Sequence, residues 1–101
     1  VKKQIEFQEL IVGEGNVKDD IKNFLYHVCA MSEEIGEVLK ADKRWKTHRN
    51  THYDKNNKKE EIADVIITAI NMALYSGFTP EELETIVINK IEQNIERVKN
   101  K

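Results

Sequence analysis

Residues 57–76 read NKKEEIADVIITAINMALYS, and this stretch decides the fold. Ile62, Val65, Ile66, Ala69 and Ala73 recur at steps of three and four, the spacing of one helical face. Ile67, Ile70 and Leu74 make much of the remaining circumference apolar, so this helix is expected to be covered on several sides. What remains is a narrow polar stripe of Glu61, Asp64, Thr68, Asn71 and Tyr75.

Working outward, Gly77 is the expected stop of this helix. Thr79-Pro80-Glu81-Glu82 then offers a cap, a proline at the first helical position and a Thr-x-x-Glu box, so a last helix should run almost to the C-terminus. Upstream, a long helix is expected over about 18–45, with Ile21, Phe24, Leu25, Val28, Met31, Ile35, Val38 and Leu39 at helical spacing. Asn16 with Asp19 resembles its N-cap and capping box. A short helix is expected over 3–12, broken by Gly13 and Gly15; residues 46–56 read as a loop. No stretch reads as a strand, which makes the expected class all-α.

The chain's 101 residues allow one domain, 1–101, and leave no room for two independent cores. Three other helices of this length can hardly cover the 57–76 helix, so a second copy is expected, most simply a two-fold dimer. A net charge of −2 argues against a general nucleic-acid binder. No apolar run reaches the roughly 18 residues of a membrane span, and the first residues carry no signal-like apolar stretch. With one cysteine, Cys29, no intrachain disulfide is possible, which suits a reducing cytoplasm; Cys29 is expected to be small and buried. Charge is uneven: eight of the sixteen Lys and Arg fall at 40–59, opposed by Asp42 and Asp54. That run reads either as a solvated loop or as an anion-facing one.

The chemistry lies in a repeated pattern. Glu-Glu-Ile-Gly-Glu-Val at 33–38 is answered by Glu-Glu-Ile-Ala-Asp-Val at 60–65. The long first helix carries its own stripe of His27, Ala30, Glu34, Glu37, Ala41 and Trp45. If the two stripes face each other, Glu34, Glu37, Glu61 and Asp64 converge. Converging carboxylates repel, and a hard divalent ion with oxygen ligands relieves that repulsion: Mg²⁺, Mn²⁺ or Ca²⁺. A di-iron bundle would want Glu-x-x-His pairs, and none occurs. His48 and His52 stand four apart in a loop with no third ligand, which disfavours zinc.

Glu34-Ile-Gly-Glu37 and Glu61-Ile-Ala-Asp64, with 23 residues between the pairs, resemble the signature of the MazG-like all-α nucleoside triphosphate pyrophosphohydrolase superfamily. The likeness extends through Arg44-Trp45-Lys46 and through Lys90-x-x-x-Asn94-x-x-Arg97, a run like that of dCTP-pyrophosphatase-like members, and covers about residues 18–98. The resemblance implies a four-helix bundle completed by dimerisation, as a homodimer or a dimer of dimers. It implies Mg²⁺, with Mn²⁺ as a possible substitute, held by Glu34, Glu37, Glu61 and Asp64. The implied reaction is hydrolysis of a (deoxy)nucleoside triphosphate to monophosphate and pyrophosphate, including housecleaning of non-canonical nucleotides. Glu34 and Glu37 are the candidate catalytic bases, and Lys90, Asn94 and Arg97 the candidate phosphate ligands.

Trp45 ends the acidic stripe and reads either as a base-stacking ring or as a core or interface aromatic. His27, two turns before Glu34, either contacts base or sugar or is a structural histidine. Thr68 departs from the aromatic that some dCTP-directed relatives carry there, which leaves the base open. Two alternatives stand beside this reading: a phosphoribosyl-ATP pyrophosphatase-like enzyme, and a non-catalytic helical dimerisation or regulatory module.

Overall fold

A computed structural model describes residues 1–42 and 55–100 of the chain. These form four helices and no strand: α1 Lys2–Val12, α2 Ile21–Ala41, α3 Lys55–Leu74 and α4 Pro80–Lys99. The all-α expectation holds among the described residues. None of their helices is long and apolar enough to cross a membrane.

Helices α2 and α3 form an antiparallel hairpin, and this pair is the heart of the molecule. At one end the Asp20 amide donates to the Tyr75 carbonyl at 2.9 Å. At the other, Lys58 Nζ meets Asp42 Oδ2 at 2.9 Å. α1 packs on α3 through amide hydrogen bonds: Gln4 Nε2 donates to Asn71 Oδ1 at 2.8 Å and Tyr75 Oη donates to Gln8 Oε1 at 2.7 Å.

The start of α2 differs from the expected one. Asp20, extended at φ −152°, is the N-cap, and its carboxylate accepts from the Lys22 and Asn23 amides. The tertiary bond to Tyr75 selects this residue, while Asn16 turns its amide back to the Val12 carbonyl at 2.7 Å. The other boundary expectations agree more closely. Gly77, at φ +87°, takes the left-handed conformation that ends α3, and Thr79 Oγ1 accepts from the Glu82 amide at 3.1 Å to start α4.

Burial is sparse. Among the described residues only Ala41, Leu74 and Tyr75 are buried apolar or aromatic side chains, beside buried Gln8, His27, Thr68 and Asn71. α2 has two opposed faces. His27, Ala30, Glu34 and Ala41 lie towards α3, whereas Ile21, Leu25, Val28, Ile35 and Leu39 point away, 37–65% exposed. Cys29 belongs to the outward side and is exposed, not buried as expected. In α3, Ile62 and Ile66 are likewise uncovered, and in α4 every residue beyond Leu83 is exposed. Val87, Ile91, Ile95 and Val98 run down one side of α4, 48–69% exposed. Among the described residues, little apolar surface is buried for a chain of this size.

Candidate metal centre

The two acidic motifs meet across the hairpin. Glu34 from α2 and Glu61 and Asp64 from α3 each offer an oxygen, and the three oxygens lie within 4.8 Å of one another. Glu34 and Glu61 are half-buried and Asp64 is exposed. Their convergence follows from register. Glu61 and Asp64 stand one turn apart on the α3 polar stripe, and the antiparallel pairing sets that turn against the middle of α2.

The electrostatics carry the mark of crowding. Burial raises the Glu34 carboxyl above its usual value, and the charges of Asp64, Glu61, Glu37 and Glu33 raise it further. No basic side chain among the described residues pairs with Glu34, Glu61 or Asp64. An acidic group of this kind fits a hard divalent cation with oxygen ligands, and a thiophilic metal has nothing to bind there.

Glu37 stands beside the group and not within it. A three-residue step turns a helix by about 300°, so Glu37 is offset by roughly 60° from Glu34 towards the exposed side. It meets Lys40 there, Oε1 to Nζ 3.4 Å, while its charge still reaches Glu34. Thr68 is buried, and its hydroxyl donates to the Asp64 carbonyl at 2.8 Å, which anchors the backbone under one of the acids. Lys90, Asn94 and Arg97 lie on exposed α4 with no side-chain bond to another described residue, and the described residues of one copy do not bring them to the acids. Arg44, Trp45, Lys46, His48 and His52 lie outside the described residues.

His27 is buried beside this group. Its ring stacks on Tyr75 at 5.4 Å and 8° and meets Tyr26 edge-on at 5.0 Å and 88°. Burial lowers its pKa, which favours the neutral ring. Asn71 Nδ2 lies 3.5 Å from His27 Nδ1. Of the amides around it, Asn71 belongs to the polar stripe read from the sequence, whereas Gln4 and Gln8 were not singled out. A signal did exist: Gln4 and Gln8 stand four apart on α1, matching Asn71 and Tyr75 four apart on α3. Compared with family models, curated proteins and solved structures, the chain shows no match.

Proposed function

We propose that this chain is a Mg²⁺-dependent nucleoside triphosphate pyrophosphohydrolase of the MazG-like kind, acting as a homodimer or a dimer of dimers. The observation that carries the reading is the convergence of Glu34, Glu61 and Asp64 within 4.8 Å, without a basic partner among the described residues. Glu34, Glu61 and Asp64 would hold the ion, with Glu37 near enough to join them. When bound, Mg²⁺ (or Mn²⁺) supplies charge neutralisation for the phosphates and lowers the pKa of water.

The chain's own groups do the remaining work. A carboxylate oxygen of Glu34 or Glu37 accepts the proton of the attacking water. Water oxygen bonds to the α-phosphorus, the bond from that phosphorus to the α–β bridging oxygen breaks, and pyrophosphate leaves with the bonding pair. A bound ion would offset the carboxylate crowding that raises Glu34, so that shift does not choose between the two glutamates.

A second copy serves both stability and chemistry in this reading. On a helical projection Lys90, Asn94 and Arg97 border the apolar stripe of Val87, Ile91, Ile95 and Val98. Burying that stripe on a partner would set the two cations and the amide at the rim of the interface, where they can meet phosphate oxygens.

Pyrophosphate release across a panel of canonical and modified nucleoside triphosphates, dUTP and phosphoribosyl-ATP tests the reading, with Mg²⁺ or with EDTA. Metal-dependent release by the wild type, lost in Glu61→Gln, is the expected result. Silence across the panel from a folded oligomer would overturn it. The uncovered faces of α2, α3 and α4 favour a second reading in that case, a helical dimerisation module with no reaction of its own.

A further inference from the structure

Helix α1 lacks the local devices that hold other helices of the chain. Asp20 and Thr79 cap α2 and α4 with side-chain oxygens, whereas Val1 offers α1 no such bond. Its first turn carries Lys2 and Lys3 and its last turn Glu9, the wrong sign for the helix dipole at both ends. α4 has the favourable order, Glu81 and Glu82 first and Arg97 and Lys99 last. With 11 residues, α1 is also shorter than the roughly 12–15 at which an isolated helix becomes marginal in water. α1 is therefore helical because it is docked.

That docking is mostly polar. Gln8 is the one buried residue of α1, and Phe7, Leu10 and Ile11 are 55–81% exposed, so apolar burial grips the helix weakly. The firm contacts are Gln4 to Asn71 and Gln8 to Tyr75, spaced one turn apart on each helix. Both bonds can be exchanged for bonds to water when α1 leaves, so each favours the docked state only about fivefold. Gly13 at φ +97° and Gly15 at φ +78° take left-handed conformations that suit glycine, and they form two joints between α1 and the rest.

α1 is also one wall of a cavity of about 470 Å³, which Gln4, Phe7, Gln8 and Ile11 line from its side. Ala30 and Glu34 stand in the α2 wall, so this space adjoins the acidic group.

We propose that α1 is a folding-coupled cover: it leaves Asn71 and Tyr75 and unfolds as a unit while the α2–α3 hairpin stays formed, and this opening admits solvent and solutes to the cavity beside Glu34. Whatever fills the cavity touches both α1 and the hairpin, so by linkage it closes the cover. The cover acts whatever reaction the acids support.

Native-state hydrogen exchange of the wild type in rising urea is the first measurement. Urea sensitivity scales with the surface an opening exposes. The α1 amides are expected to exchange through a frequent opening of shallow urea dependence, and the hairpin amides through a rarer one of steep dependence. The second measurement places a thiol in the cavity wall, as Ala30→Cys in a Cys29→Ser background, and follows its labelling by a bulky maleimide. Labelling should be slower than that of the exposed native Cys29. Tyr75→Phe, which removes the donor to Gln8, should speed α1 exchange and Ala30→Cys labelling by one common factor, about fivefold or more. Gln4→Ala asks the same question should Tyr75→Phe not fold.

One shared urea slope for α1 and the hairpin would overturn the proposal, as would α1 amides with no protection at all. So would a thiol at position 30 that labels as fast as Cys29, or whose labelling does not follow α1 exchange. Neither measurement involves pyrophosphate release, so loss of the cover leaves the hydrolase reading standing, and loss of the hydrolase reading leaves the cover.

Discussion

Replacing Glu34 with Gln removes one negative charge from the acidic group and keeps the shape of the side chain. Without an ion, Glu34 faces Glu61 and Asp64 at no more than 4.8 Å. Two unit charges at that spacing repel by about 1 kcal/mol with water-like screening, and by about 3.5 kcal/mol at an effective dielectric of about 20. These carboxylates are half-buried or exposed, so screening is strong and the two pairs together cost about 2 kcal/mol.

The direction of the Glu34 pKa agrees, and it fixes the pH window. A carboxyl raised in the fold contributes stability at low pH that is lost as pH rises from its ordinary 4.5 through the higher folded value. At pH 7.5 in EDTA, Glu34→Gln should therefore melt above the wild type, and the advantage should vanish below about pH 4.5. Mg²⁺ at ten times its dissociation constant stabilises the wild type by about 1.4 kcal/mol. For a chain of this size that is a rise of roughly 6–11 °C in melting temperature. Calorimetry of both proteins in EDTA and in Mg²⁺ is the assay. A variant that melts below the wild type in EDTA, and keeps the full Mg²⁺ response, would refute the idea that these acids repel and bind an ion together.

Other expectations follow from the same geometry. Tyr75→Phe removes the donor to buried Gln8 and should cost about 1–3 kcal/mol in urea unfolding, with faster hydrogen exchange in α1. His27 is held neutral by burial, so its contribution to stability is whole above its ordinary 6.5 and is lost as pH falls below it. That loss between pH 7 and pH 5.5 should be absent from melts of His27→Gln. Ile91→Lys places a charge in the exposed α4 stripe: sedimentation should give the wild type at twice the protomer mass or more, and the variant at protomer mass. An unchanged mass for Ile91→Lys would remove α4 from the interface.

Local signals carried most of the fold into the sequence. Thr79, Pro80 and Gly77 act through their own backbone, and the helices they bound came within a few residues of the expected spans. The Glu34, Glu61 and Asp64 group was legible for the same reason, since one-turn spacing on each helix survives whatever the partner helix does. Asp20 was missed as the cap because a tertiary bond to Tyr75 chose it over better local matches. Cys29 was misplaced because burial belongs to the whole assembly of helices, and its side of α2 is exposed among the described residues. The Gln4–Asn71–His27 chain joins residues 67 and 44 positions apart, and no local pattern spans such distances.

The two-faced character of α2 bears on the order of folding. The α2–α3 hairpin pairs helices that are consecutive in the chain and is expected to form early, as contacts between sequence neighbours do. The outward faces of α2 and α4 find no cover among the described residues. If a second copy covers them, the last phase of refolding is bimolecular, and its rate should rise with protein concentration while the hairpin phase stays constant.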